Sequence, residues 1–168
     1  MNKNNGLVNK KLIALGAKCE IARRRFFYYC NIKAPEFYKP DRKYLVEMCG
    51  VLQKFIEEDE HKVLIMDLPP RHGKSRTLQM LVEWLLGKDN RKKVMTGSYN
   101  ETLSKTFAKS VRNSISELKG DAYKPVYSDI FPETRIKQGD GAVNLWSLEG
   151  GYNNYLATSP TGTATGFG

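Results

Sequence analysis

Leu68-Pro69-Pro70-Arg71-His72-Gly73-Lys74-Ser75 carries the strongest signal in the chain. An apolar run, Val63-Leu64-Ile65-Met66, precedes it, and a helical pattern opens near Arg76. A buried strand feeding a turn that ends in Gly-Lys-Ser and then a helix is the layout of a phosphate-binding loop. Two glycines usually frame such a loop, as G-x-x-x-x-G-K-[ST]; Leu68 stands at the first of them, so the pattern is a deviant one. The half that carries the chemistry is intact. Gly73 lets the backbone approach an anion closely, and the amides of Gly73, Lys74 and Ser75 face it at a helix N-terminus, where the dipole favours negative charge. Lys74 is expected to reach the β- and γ-phosphates of a nucleotide, and the Ser75 hydroxyl to hold Mg²⁺. The nucleotide contacts are assigned to Pro70, Arg71, His72, Gly73, Lys74 and Ser75.

Outward from the loop, the spacing predicts a strand from His61 or Lys62 through Asp67 and a helix from Ser75 to about Leu86, with Leu78, Leu81, Val82 and Leu85 inward and Gly87 at its C′ position. Val94 to Ser98 reads as a second strand, parallel to the first because a helix separates them. Glu101 to about Leu118 reads as a helix with Leu103, Phe107, Val111, Ile115 and Leu118 inward, and Gly120 after it. Residues 121–140 are loop-like, with Phe131-Pro132 as an anchor. Ala142–Leu148 and Tyr152–Thr158, joined by Glu149-Gly150-Gly151, predict a hairpin. The fold class expected is α/β, a P-loop NTPase-type, mostly parallel sheet flanked by helices.

Before the loop, Leu12, Leu15, Cys19, Ala22, Phe26 and Tyr29 recur at three and four, which predicts one amphipathic helix from Leu7 to about Tyr29 behind a polar residue 1–6 lead. Pro35 to Pro40 is a connector. Asp41 is placed as the N-cap of a helix to about Glu58, with Tyr44, Leu45, Met48, Val51, Leu52 and Phe55 inward. Two segments follow: a basic helical segment over 1–34 and an ATPase domain over 35–168.

The net charge is +9 and the isoelectric point near 9.4, which suits a polyanionic partner. Eight lysines and arginines face Glu20 alone in the first 33 residues. Such a segment is a candidate contact for DNA or RNA, although basic stretches are often only solvated faces. Cys19, Cys30 and Cys49 are odd in number and lack metal spacing, so reduced thiols in an intracellular protein are expected. No apolar run has the length of a membrane span, and no signal peptide is evident.

Pro69-Pro70-Arg71-His72-Gly73-Lys74-Ser75 closely resembles the phosphate loop of the large terminase subunit of tailed bacteriophages, the ATPase that drives DNA into the procapsid. Gly97-Ser98-Tyr99-Asn100-Glu101, Phe107, Val111-Arg112-Asn113, Ile130-Phe131-Pro132, Trp146 with Gly150-Gly151, and Thr161-Gly162-Thr163-Ala164-Thr165-Gly166-Phe167-Gly168 resemble later pieces of that family in their order. The resemblance covers roughly residues 35–168 and implies the N-terminal part of the ATPase domain, with an incomplete sheet. In the family, an apolar strand ending in acidic residues follows the glycine-rich run; the sequence stops at Gly168, before that strand and before the nuclease domain. The resemblance implies ATP and Mg²⁺ as cofactors and double-stranded DNA, the portal and the small terminase subunit as partners. It also implies a homo-oligomeric ring, a bacterial cytoplasmic setting and no membrane. It makes Arg71 and Lys74 catalytic, Arg71 through its guanidinium on the γ-phosphate. By position, Tyr38, Arg42 and Tyr44 are candidates to hold the adenine.

A carboxylate or similar group orients the attacking water in phosphoryl transfer. Glu101, Asp129 and Glu149 are the candidates, and none ends an apolar strand, so ATP binding with poor hydrolysis is expected. His72 reads as a turn residue, and with His61 the only other histidine no His-based metal site is supported. Two other readings stay open. One is another P-loop protein such as a helicase or a nucleotide kinase. The other is a non-enzymatic basic nucleic-acid binder in which Gly-Lys-Ser is incidental.

Overall fold

The computed structural model describes residues 3–58, 60–140 and 142–160, with side chains from Asn9 onward. The glycine-rich run Thr161–Gly168 lies outside them. Six helices and three strands are described: α1 (Lys3–Arg24), α2 (Phe26–Lys33), α3 (Lys43–Glu58), α4 (Lys74–Lys88), β1 (Val94–Gly97), α5 (Glu101–Ile115), α6 (Tyr127–Ile130), β2 (Leu145–Trp146) and β3 (Tyr155–Thr158). The chain divides into two compact units, Met1–Leu81 with Lys119–Pro125, and Val82–Leu118 with Val126–Gly168.

In the first unit α1 packs on α2 and α2 on α3. The single helix expected to Tyr29 is broken at Arg25, whose backbone is extended (φ −127°, ψ 113°). Gln53 of α3 spans the break: its amide oxygen accepts from the Phe26 N–H at 2.9 Å and its amide nitrogen donates to the Arg24 carbonyl at 3.0 Å. One side-chain amide thus satisfies a donor and an acceptor that the interrupted helix leaves over. The break lets α2 turn Phe26, Tyr29 and Cys30 into a core shared with Cys19 and Ala22 of α1 and Leu45, Met48, Cys49 and Leu52 of α3. Burying each large apolar side chain contributes about 1.5–3 kcal/mol. Leu12, Tyr44 and Val51, expected inside, are exposed.

The second unit is built on a three-stranded sheet of order β1-β3-β2. β1 pairs with β3 in parallel, Val94 opposite Tyr155, and β2 pairs with β3 antiparallel, Trp146 opposite Tyr155. The Trp146 and Tyr155 rings stack with centroids 4.7 Å apart. Asn154, fully buried, fixes the start of β1: its amide nitrogen donates to the carbonyls of Asn90 (2.6 Å) and Lys92 (3.0 Å), and its amide oxygen accepts from the Leu148 N–H (2.8 Å). α5 packs on β3 with Ser104, Ala108, Val111 and Ile115 buried. Asn100 caps it, accepting from the Leu103 N–H at 2.8 Å.

The expected fold class, a mostly parallel P-loop NTPase sheet, is not what forms. The sheet is small and mixed. The strand expected over 61–67 is not formed, and Val63 and Ile65 are 74% and 88% exposed. A strand persists when its backbone groups are paired in a ladder; among the described residues no strand pairs with this run. The parallel partner of β1 is β3 and not the segment before the loop. Gly87 does not end α4, which runs on to Lys88; it lies so close to the Phe131 ring that a Cβ would overlap it. Among the described residues no helix is long and apolar enough to cross a membrane.

Candidate functional site

The loop from Pro69 to Gly73 delivers the chain to the N-terminus of α4 through two left-handed residues, Arg71 (φ 64°) and Gly73 (φ 86°). Arg71 is not a glycine, and holding it there costs about 1–3 kcal/mol. The intervening His72 lies 3.0 Å through Nδ1 from the Pro70 carbonyl. A carbonyl only accepts, so Nδ1 is the donor in this contact. The His72 ring meets Tyr44 edge-on at 5.8 Å.

Gly73 is required twice over. Its φ disfavours any side chain, and a Cβ would stand 2.6 Å from Cε1 of Phe37. Its carbonyl accepts from both the amide (2.8 Å) and the hydroxyl (2.9 Å) of Thr77. Thr77 has one hydroxyl proton, so the 2.8 Å contact between its Oγ1 and the Tyr38 hydroxyl is donated by Tyr38. Tyr38 and Thr77 are fully buried. Burial, the largest cause, raises the Tyr38 pKa above its ordinary value against the lowering effect of the Thr77 hydrogen bond. The hydroxyl therefore stays protonated and remains the donor.

A pocket of about 320 Å³ opens beside the loop, with Phe37, Gly73, Lys74, Ser75 and the arginines 71 and 76 on its wall. The first turn of α4 holds no acidic residue. Lys74 and Arg76 occupy it instead, and among the described residues no carboxylate pairs with Arg71, Lys74 or Arg76. Cations at a helix N-terminus oppose the macrodipole, at a cost of about 0.3–1 kcal/mol each when exposed. An anion seated between them relieves that repulsion and accepts the first amides of the helix. The guanidiniums of Arg42 and Arg76 lie 5.2 and 5.4 Å from the centroid of the Phe37 ring, which brings a third arginine close to the loop.

Of the six loop residues expected to contact the ligand, Pro70, Arg71, Gly73, Lys74 and Ser75 line the pocket, and His72 does not. Of the adenine candidates, Tyr38 is buried behind the loop and so cannot stack on a ligand, Arg42 lies on Phe37, and Tyr44 packs on His72. Sequence reasoning missed Phe37, Arg76 and Thr77. The available signal was Gly73 itself, since a glycine in a loop often marks a close neighbour, but nothing in the sequence says which one.

Two of the three candidate carboxylates have local partners. Glu101 pairs with Lys105 at 2.8 Å, one turn along α5. Asp129 accepts from the Val126 N–H at 2.9 Å and caps α6. Glu149 sits exposed at the hairpin turn. Among the described residues no group of three or more His, Cys, Asp or Glu is assembled for a metal. Ser75, exposed at the pocket, offers a hydroxyl that suits Mg²⁺ only when phosphate oxygens complete the shell. No protein-family model, curated protein or solved structure matches the chain.

Proposed function

We propose that the loop from Pro70 to Ser75 binds the triphosphate of ATP with Mg²⁺, as the nucleotide-binding part of a DNA-packaging ATPase of the large terminase kind. The observation that carries the local reading is the cationic opening of α4. Lys74 and Arg76 stand in its first turn and Arg71 beside it, with no acidic residue in that turn and a glycine that nothing else replaces. The wider reading rests on the order of residues that resembles the terminase family.

In this account Lys74 holds the β- and γ-phosphates, the amides of Gly73 to Ser75 accept the charge, and Ser75 contributes its hydroxyl to the Mg²⁺ shell. Mg²⁺ neutralises phosphate charge when bound. Arg71, at the mouth of the pocket, lies on the γ-phosphate side and steadies charge there. Glu101 and Asp129 are engaged within their own helices, so turnover by the chain alone is slow or absent. In the complete assembly the partners are double-stranded DNA, the portal and the small subunit, around a ring in the bacterial cytoplasm.

Retention of radiolabelled ATP on the chain, with chase by unlabelled ATP, tests the local reading. The wild type retains label that the chase displaces, and Lys74→Ala does not; equal retention by Lys74→Ala overturns it.

The exposed lysines of α1, Lys10, Lys11 and Lys18, favour duplex DNA as a second ligand. That contact is electrostatic, so affinity falls steeply with salt. It is indifferent to Lys74→Ala, which an electrophoretic shift at two salt concentrations checks.

A further inference from the structure

Behind the loop lies a pair of thiols that phosphate binding does not use. Sγ of Cys30 on α2 and Sγ of Cys49 on α3 are 4.0 Å apart, and both residues are fully buried. Neither is in a disulfide. Cys30 is tied to Tyr38 through the backbone: its carbonyl accepts from the Ala34 N–H at 2.9 Å, and the Ala34 carbonyl accepts from the Tyr38 N–H at 3.0 Å. From Tyr38 the hydrogen bonds run outward, to Thr77 at 2.8 Å and on to the Gly73 carbonyl at 2.9 Å. The next residue along, Phe37, packs directly on Gly73. Two sulfurs thus stand at the inner end of a short relay whose outer end is the left-handed glycine of the loop.

We propose that Cys30 and Cys49 form a reversible redox pair that sets the conformation of the loop at Gly73 through Tyr38 and Thr77. It rests on the phosphate-binding reading only for what the loop then binds. The oxidant is a small peroxide, which reaches buried thiols more readily than a larger oxidant does. One thiolate attacks a peroxide oxygen; the O–O bond breaks, a sulfenic acid forms and hydroxide leaves as water with the thiol proton. The second thiolate attacks that sulfur, the S–S bond forms, and the sulfenic oxygen departs as a second water. Two thiols are oxidised and one peroxide is reduced to two waters. A dithiol reductant reverses the change by exchange.

A disulfide needs its sulfurs about 2.05 Å apart, so closure from 4.0 Å draws Cys30 of α2 toward Cys49 of α3 and pulls on the backbone bonds that tie Cys30 to the fully buried Tyr38. Interiors packed to crystal-like density do not absorb such a movement locally. The displaced hydroxyl of Tyr38 loses its alignment with Thr77, and the Thr77 hydroxyl, no longer held by that bond, is released from the orientation that aims its proton at the Gly73 carbonyl.

The test uses the full chain, oxidised with hydrogen peroxide, quenched and compared with the dithiothreitol-reduced form. Mass spectrometry without reduction is expected to show a peptide linking Cys30 to Cys49, lighter by two hydrogens. The loop is read independently of nucleotide, as the initial rate of tryptic cleavage after the exposed Arg71. Oxidation is expected to raise it about threefold or more, as local opening does. Cys30→Ala and Cys49→Ala abolish the change and Cys19→Ala leaves it. Tyr38→Phe still forms the disulfide but uncouples the loop. The proposal is overturned if no Cys30–Cys49 link forms. It is equally overturned if the link forms with cleavage unchanged, or if Tyr38→Phe responds as the wild type does. ATP is absent from the assay, so failure of the nucleotide reading leaves its result intact.

Discussion

Gly73 and Arg71 share a left-handed backbone, and substitution has opposite consequences at the two. Gly73→Ala meets both the strained φ and the Phe37 ring. A loss of about 1–3 kcal/mol in unfolding free energy is expected, read by urea denaturation. Adding Phe37→Ala removes the steric part and not the backbone part, so the double variant is less destabilised than the sum of the singles. Arg71→Gly relieves its own left-handed strain and raises stability by about 1 kcal/mol while weakening ATP binding, a divergence of stability and function that the same melts and a binding assay record. The turn at Gly73 and the start of α4 directly after it were legible because Gly-Lys-Ser specifies its own backbone. Phe37, Thr77 and Arg76 were not, because their roles come from neighbours distant in the chain or from the charge balance of a helix turn.

Among the elements, the helices around the loop were legible from their periodicity, and their faces less so. The stripe expected of a helix from Glu101 to about Leu118 included Leu103 and Leu118; α5 ends at Ile115, Leu118 lies beyond it and is 90% exposed, Leu103 is 47% exposed, and Ser104 and Ala108 are buried. Small residues let a helix approach a sheet closely, and a scan for large apolar positions overlooks them. The break at Arg25 escaped notice because the group that stabilises it, the Gln53 amide, lies on another helix. Gln53→Ala therefore costs about 1–3 kcal/mol by leaving the Phe26 N–H and the Arg24 carbonyl without that partner, measurable as a lowered midpoint in urea. In the second unit Asn154→Ala removes three hydrogen bonds at a fully buried position and is expected to cost more than Gln53→Ala by the same measurement.

At the scale of the whole molecule, the run Val63-Leu64-Ile65-Met66 shows where sequence and structure part. Its composition is that of a buried strand, yet strand formation depends on partners that local composition does not encode. The hairpin of β2 and β3 was legible because both strands and their turn are contiguous; the parallel β1–β3 pairing, some sixty residues apart, was not. Buried tyrosines also give the molecule an alkaline limit. Burial moves the Tyr155 pKa from 10.0 to about 12, opposed by its hydrogen bond with Thr96, and shifts Tyr38 and Tyr127 in the same direction. Below the unfolded value of 10.0 the contribution of Tyr155 is fully present. As pH rises toward about 12, the unfolded chain ionises first and stability is lost. Urea midpoints across that range should fall, and Tyr155→Phe should make the fall less steep.

The central claim is that the cationic opening of α4 is a phosphate site, and calorimetric titration of Mg·ATP into the chain and into Lys74→Ala tests it most directly. The account predicts saturable heat for the wild type and none for the variant, with matching circular dichroism spectra. No heat from a folded wild type, or equal affinity in Lys74→Ala, would contradict it.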